Sequence, residues 1–214
     1  MKVTLLASTP NATKLVATAA WICTHEGFPT EADLHPDKCG PMVKRVIDYG
    51  HESILEHASF TFAIEGISRA CSHQLVRYRI ASFSQQSQRF VKFGNGSGCG
   101  YVLPESCKQD VEVIEEFERA LIAAEAAYDF MTKKGIPAED ARFVLPNAAT
   151  TKLVMTMNAR ELRHFFTQRM CEKSQWEIRE LATEIYLQCK AKEPILFADC
   201  GPDCKDCKEK TPCK

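Results

Sequence analysis

Thr150-Thr151-Lys152-Leu153-Val154-Met155-Thr156-Met157 runs straight into Asn158-Ala159-Arg160-Glu161-Leu162-Arg163-His164-Phe165-Phe166-Thr167-Gln168. The first eight residues are rich in β-branched and apolar side chains, which suits a strand. Asn158 with Glu161 three positions on has the form of a capping box, so a helix is expected through Gln168. A strand that passes directly into a helix has a counterpart earlier in the chain. Ala58-Ser59-Phe60-Thr61-Phe62-Ala63-Ile64 alternates as a half-buried strand does, and residues 68–76 read as a helix feeding an irregular polar loop.

Outward from these two stretches the other elements fall into place. Residues 3–7 read as a short strand. Residues 11–24 read as a helix capped by Thr9 or Asn11, with Pro10 between. Residues 42–49 form another, closed by Gly50. The clearest helix spans residues 110–134: Ile114, Phe117, Leu121, Ala124, Tyr128 and Met131 recur at three and four, making one apolar stripe. Its acidic start and basic end match the helix dipole, and Gly135 and Pro137 stop it. The glycines of residues 94–100 mark a turn. Ser174-Gln175-Trp176-Glu177 is a second capping box, opening a helix to Lys190. Strands and helices mix without βαβαβ alternation, so the expected class is α/β of the α+β kind.

The chain has 214 residues, 45% hydrophobic and 26% charged, a globular balance that excludes disorder and collagen-like structure. No stretch approaches the ~18 apolar residues of a membrane span, and the opening apolar run is too short for a signal peptide. A cytoplasmic protein with no membrane partner is expected. Lys+Arg 27 against Asp+Glu 28 gives a net charge of −1, which argues against a general nucleic-acid binder. Eleven cysteines, an odd number without a secretory signal, argue for reduced thiols. Four of them, Cys200, Cys204, Cys207 and Cys213, lie in the last fifteen residues. The expected organisation is one domain over residues 1–199 and a Cys-rich tail over 200–214. That tail is open to two readings, a four-thiolate zinc site or a flexible reduced segment, and no metal is assigned.

Residues 69–92 hold Arg69, Arg77, Arg79, Arg89 and Lys92 with no Asp or Glu. Ser82, Ser84, Gln85, Gln86, Ser87 and Gln88 stand among them. Guanidinium forks bind phosphate bidentately, and amide side chains both donate and accept, as a pyrimidine edge requires. Residues 141–160 are also free of acids and carry Arg142, Lys152 and Arg160, with Arg163 and Arg169 following. Such clusters point to an anionic ligand, since surface arginines are normally interspersed with acids. Neither a G-x-x-x-x-G-K-[ST] loop nor a G-x-G-x-x-G fingerprint occurs. A nucleotide would be held by side chains.

Arg77-Tyr78-Arg79-Ile80-Ala81-Ser82-Phe83-Ser84-Gln85-Gln86-Ser87-Gln88-Arg89 resembles the signature of flavin-dependent thymidylate synthases. The likeness extends to Gly50-His51-Glu52-Ser53, Glu56-His57, Ala141-Arg142-Phe143-Val144-Leu145-Pro146, Asn158-Ala159-Arg160 and Gln175-Trp176-Glu177, and covers about residues 1–200. The resemblance implies an antiparallel sheet among helices. It implies conversion of dUMP to dTMP, with a methylene group from 5,10-methylenetetrahydrofolate and hydride from FAD that NADPH has reduced. It further implies a homotetramer with active sites at subunit interfaces. By the same resemblance, Gln74, Leu75, Val76, Arg77, Gln85, Gln86, Ser87, Gln88 and Arg89 surround dUMP, Arg142 reaches its phosphate, and Arg169 faces the uracil edge. His51, Ser53, Arg77, Tyr78, Arg79, Gln85, Asn158, Ala159, Arg160 and His164 lie against FAD.

A fixed guanidinium beside uracil N3 favours the N3 anion and makes C5 a better nucleophile, so Arg169 is the candidate catalytic residue. Tyr78 departs from the family pattern, which usually has His there, and His164 stands where some relatives have Asn. Classical thymidylate synthases use a cysteine nucleophile, marked by a Pro-Cys-His triplet; none occurs here, and Cys71 reads as a buried thiol. His51, Glu52, Glu56 and His57 could be metal ligands, but their spacing fits no standard helical pair. Phe60, Phe62, Phe165 and Phe166 read as core, and Trp176 as a packing anchor. Two rival readings use the same residues differently. One is a non-catalytic RNA- or nucleotide-binding module with salt-sensitive binding and no flavin. The other is an interaction protein working through a zinc-bound tail.

Overall fold

The computed structural model describes residues 1–93 and 100–202. Cys204, Cys207 and Cys213 of the tail, and all but Gly100 of the glycine cluster, lie outside the described residues. In chain order the elements are β1 (Lys2–Ser8), α1 (Ala12–Ile22), α2 (Pro36–Asp48), β2 (Ser59–Ser68), α3 (Arg69–Leu75), β3 (Ala81–Gln85), α4 (Val111–Lys133), α5 (Ala138–Ala141), β4 (Thr150–Asn158), α6 (Ala159–Arg169) and α7 (Trp176–Lys192). Short 3-10 turns occupy Glu52–His57, Glu105–Gln109 and Arg142–Val144. The strands form one four-stranded antiparallel sheet in the order β1-β2-β4-β3. The class is the expected mixture of helices and antiparallel sheet.

Both central strands bury alternate side chains, the pattern that the sequence shows for residues 58–64. In β2, Phe60, Phe62 and Ile64 are buried. Gly66 then takes φ 75°, a conformation only glycine enters freely, and burial shifts by one position to Ile67. In β4, Thr151, Leu153, Met155 and Met157 are buried, with Lys152 and Val154 facing out. The Thr61 and Thr156 hydroxyls, 2.9 Å apart, fix the register of β2 against β4.

The chain divides into two compact units that interleave in sequence. The first comprises residues 1–2, 64–77 and 84–153; the second comprises 3–63, 78–83 and 154–214. In the first, Phe93, Tyr128, Ala141 and Ala149 form a small core with Tyr101, Met131, Val144 and Leu145 around it. The Tyr128 hydroxyl accepts the Phe93 N–H at 3.1 Å. The second has a larger aromatic core, in which Phe197 meets Phe60 and Phe166 edge-on at 5.3 and 5.9 Å. Phe62 and Phe165 are buried with them, and Trp176 is half-buried.

The structure corrects several details. Neither Thr9 nor Asn11 caps α1 with its side chain: Asn11 is left-handed at φ 48°, and the Thr9 hydroxyl accepts the Ser59 N–H at 2.9 Å. Helix α2 begins six residues before Met42, with Pro36 in the first turn and Pro41 inside. Burial of Cys39 and Val43 outweighs the one hydrogen bond that Pro41 removes. Residues 81–85, expected as polar loop, form edge strand β3. Gln175, not Ser174, caps α7, accepting from Glu177 and Ile178 N–H at 3.1 Å each; the Ser174 hydroxyl donates to Gln168 O at 2.9 Å. Along α4 only Tyr128 of the apolar stripe is buried; the rest is half-buried.

Candidate active site

In the second unit, α6 carries several of the candidate side chains. Asn158 caps it, its Oδ1 accepting the Glu161 N–H at 2.9 Å, and buried Leu162, Phe165 and Phe166 seat its inner face. Arg160, His164 and Thr167 recur at helical spacing on the other side and line a cleft of about 450 Å3 together with Asn158, Ile80 and Arg163. Carboxylates from elsewhere enter this cleft. Glu56 pairs with Arg160, whose pKa is raised by that hydrogen bond. Glu52 lies 3.6 Å from Arg163 Nε. Arg163 Nη1 donates to Leu196 O at 2.8 Å and to Cys200 Sγ at 3.2 Å. Burial pushes the Cys200 thiol up to about 11, with Arg163 opposing.

Arg169 is the last residue of α6. Its Nε donates to the Tyr78 hydroxyl at 2.9 Å, and that hydroxyl donates to Gln168 Oε1 at 2.8 Å. Tyr78 is only 6% exposed, packed edge-on against Phe165 at 5.0 Å and His164 at 6.0 Å. Burial raises its phenol pKa, with the Arg169 hydrogen bond pulling the other way. It stays a neutral phenol near pH 7.

His51 and Ser53 lie elsewhere in this unit. They line a second cleft of about 760 Å3 with Trp21, His25 and Tyr49; the Trp21 and His25 rings stack at 3.7 Å. The residues expected at FAD are thus not all in one cleft. Asn158, Arg160 and His164 share the first, His51 and Ser53 the second. Ala159 is buried, its N–H donating to Ala58 O at 2.7 Å. Arg79 is exposed.

The first unit holds most of the residues expected at dUMP. Gln85 Nε2 donates to Ser72 Oγ at 3.0 Å and Thr151 Oγ1 at 3.2 Å, which orients its amide. The Gln86 N–H donates to Lys152 O at 2.9 Å. Ser87 Oγ accepts the Arg89 N–H at 3.2 Å. Arg89 pairs with Glu139, while Arg142 Nε donates to the Glu139 carbonyl at 3.0 Å. Burial, with the Arg142 charge beside it, lowers the pKa of Arg69. Gln74 and Gln88 are half-buried, Val76 and Arg77 exposed. Leu75 is buried at 0% exposure, so its side chain is core.

The acid-free windows of the sequence are therefore not acid-free in space. Glu139 reaches Arg89 and Glu56 reaches Arg160. Among the described residues, Arg77, Arg79, Arg142 and Arg169 pair with no carboxylate. Two residues that shape these surroundings, Glu139 and Gln168, are not marked by spacing; Tyr78 is expected at FAD by resemblance, but its bonds to Arg169 and Gln168 carry no sequence signal. Cys71 is buried at 0%. Among the described residues no group of three or more His, Cys, Asp or Glu side chains could hold a metal ion, and no helix is long and apolar enough to cross a membrane.

A family model described as thymidylate synthase complementing protein matches residues 4–195. A flavin-dependent thymidylate synthase of Geobacter sulfurreducens is 50% identical over 206 residues, 95% of this chain and 88% of that protein. One from Pyrococcus horikoshii is 46% identical over 211 residues, 95% of this chain and 87% of that protein. The fold is also that of a UMP/dUMP methylase from Streptomyces cacaoi bound with 5-Br dUMP (TM-score 0.79, 22% identity, 92% of this chain and 93% of that one). It is shared with a flavin-dependent thymidylate synthase from Helicobacter pylori complexed with FAD and dUMP (TM-score 0.77, 23% identity, 94% of this chain and 100% of that one). The chain belongs to the flavin-dependent thymidylate synthases, a family of enzymes.

Proposed function

We propose that this enzyme methylates dUMP to dTMP, taking the methylene group from 5,10-methylenetetrahydrofolate and reducing equivalents from NADPH, with FAD as cofactor. The observation that carries the reading is Arg169: a half-buried guanidinium, fixed through Nε and paired with no carboxylate among the described residues. Its terminal nitrogens are left to meet an anion. Beside uracil N3 they favour the deprotonated ring, which raises electron density at C5. Arginine suits this because it stays protonated and presents a planar fork.

For dUMP, the binding residues are Gln74, Arg77, Gln85, Gln86, Ser87, Gln88 and Arg89, with Arg142 on the phosphate and the backbone of Leu75 and Val76. The Gln85 amide, already oriented by Ser72 and Thr151, supports a role in reading the pyrimidine edge. For FAD, the donors of the first cleft fit the group. Arg160, exchanging its Glu56 partner for the ligand, suits pyrophosphate, while Asn158, His164 and the nearby carboxylates suit ribose and adenine hydrogen bonds; Arg79, exposed and outside this lining, is a further phosphate donor of the proposed set. A cleft of about 450 Å3 falls in the range of nucleotide pockets. His51, Ser53, Arg77, Tyr78, Gln85 and Ala159 complete the set. FAD, when bound, supplies the hydride chemistry; the protein supplies position and field.

We place the enzyme in the cytoplasm, as a homotetramer of a domain over residues 1–199 with a tail over 200–214. The tetramer is supported by α4, which keeps Ile122 and Phe130 exposed at 67% and 63%, apolar surface that another subunit would cover. The test is an absorbance spectrum of the purified protein followed by assay. A flavin spectrum, NADPH-dependent dTMP formation and release of the C5 hydrogen from labelled dUMP are expected. A colourless protein that takes up no FAD and releases no C5 hydrogen would overturn the proposal.

A further inference from the structure

We propose that Tyr78 is a positioning residue, acting on catalysis through Arg169 by holding its Nε. This rests on the reading of Arg169 given above. The family signature usually has His at this place, where a direct contact with the flavin is expected. Whatever its ring meets of the flavin, the Tyr78 hydroxyl has a task of its own. Its ring is buried between His164 and Phe165, and both hydrogen-bonding capacities of its hydroxyl are committed within the same unit.

The directions of these bonds matter. A guanidinium has donors only, so at the Arg169 contact the phenol oxygen accepts. Its own proton is then free to go elsewhere, and it goes to Gln168 Oε1. Gln168 fixes the hydroxyl rotor so that a lone pair faces Arg169 Nε. The Arg169 carbon Cζ also lies 5.7 Å from the centre of the Tyr78 ring, within cation–π range. A long, rotamer-rich side chain is thereby held at its neck, and the two terminal nitrogens keep one direction. Displacement of a catalytic group by about 1 Å costs on the order of a hundredfold in rate, so a residue that never touches substrate governs turnover.

A double-mutant cycle of the holoenzyme tests this: wild type, Tyr78→Phe, Arg169→Ala and the double variant, each measured for kcat, KM for dUMP and bound FAD. Tyr78→Phe keeps the ring and removes only the hydroxyl. It is expected to lower kcat about tenfold to a hundredfold, with KM for dUMP and FAD content within about twofold. On top of Arg169→Ala it should add nothing, because the group it positions is gone. A merely structural defect would multiply the loss in both backgrounds, and that result, or wild-type kcat in Tyr78→Phe, would overturn the inference alone. Wild-type turnover in Arg169→Ala would overturn the functional reading of Arg169 and the inference together.

A second readout needs no residual turnover. The Arg169 Nε–H proton should be protected from exchange in the wild type and unprotected in Tyr78→Phe; equal protection in both would overturn the proposal. Should Tyr78→Phe fail to fold, Gln168→Ala carries the test. It frees the hydroxyl rotor and is expected to lower kcat about threefold; an unchanged kcat would overturn the inference.

Discussion

Arg169 Nε stands 2.9 Å from the hydroxyl of Tyr78, although the two are 91 positions apart in the chain. The hydroxyl oxygen accepts, and its proton is spent on Gln168 at 2.8 Å. A cation that forms no ion pair among the described residues is thus held by a neutral partner, which orients the charge without cancelling it. A carboxylate in the same place would have neutralised the field that an anionic substrate needs.

Replacing Arg169 therefore removes function while leaving the fold. Arg169→Ala is expected to cut turnover by about a hundredfold to a thousandfold, the range for loss of one preorganised electrostatic contact. Stability should change by no more than about 1 kcal/mol, since the Tyr78 hydroxyl keeps its bond to Gln168 when the Arg169 contact is removed. Arg169→Lys should recover little, because an ammonium has neither the Nε donor nor the planar fork. Steady-state assay beside thermal melting checks both halves; wild-type turnover in Arg169→Ala would contradict the N3 role.

On the proposed reading, Glu139 competes with dUMP for Arg89. The two form an ion pair of half-exposed side chains, a class worth about 0.2–1 kcal/mol. Glu139→Gln should release Arg89 and tighten dUMP by about twofold to fivefold at low salt, the gain shrinking as salt is raised. Arg89→Ala should weaken dUMP with little change in melting temperature. Calorimetric titration with dUMP reads both; a Glu139→Gln variant that binds dUMP more weakly would place Glu139 in the site as a contact rather than a competitor.

Why some features were legible in the sequence and others were not follows from the range of the interactions. Asn158 announces α6 because a cap is local: its amide and the N–H it accepts are three residues apart. Phe60, Phe62 and Ile64 announce β2 because side-chain alternation is a property of the strand itself. The lack of acid within residues 69–92 and 141–160 misleads because Glu139 and Glu56 reach Arg89 and Arg160 from 50 and 104 residues away. The Tyr78–Arg169 pairing is long-range in the same sense, and only an unexpected phenol in a signature hinted at it. Helix α2 extends six residues beyond the 42–49 that the sequence suggests, because its start is decided by the buried faces of Cys39 and Val43.

Asn158 caps α6 and is proposed to hold FAD, and one substitution can separate the two. Asn158→Ala removes the cap bond to Glu161 N–H and should cost about 1 kcal/mol. Asn158→Asp keeps an acceptor at the cap, so stability should return. If Asn158 also serves FAD through its amide donor, the aspartate variant will still lose flavin, since a carboxylate cannot donate. Melting temperature and the flavin-to-protein absorbance ratio report the two effects independently; full flavin content in Asn158→Asp would remove Asn158 from the FAD set.

Cys200 gives the protein a particular alkaline limit. Burial holds its thiol protonated up to about 11, above the ordinary value near 9, and the nearby Arg163 offsets only part of this. Between these two values the unfolded chain releases the proton and the folded chain keeps it, so the unfolded state gains. The stabilisation is complete below pH about 9 and is lost as pH climbs through about 11. Cys200→Ser removes this group from the balance. Urea unfolding at pH 8.5, 10 and 11 should then show a shallower loss of stability in the variant than in the wild type. The alkylation rate of Cys200 by iodoacetamide should stay low until the same window, because the thiolate is the reactive form. Parallel stability curves for the two proteins, or rapid alkylation of Cys200 near neutral pH, would mean that the thiol is not held in its protonated form by the fold.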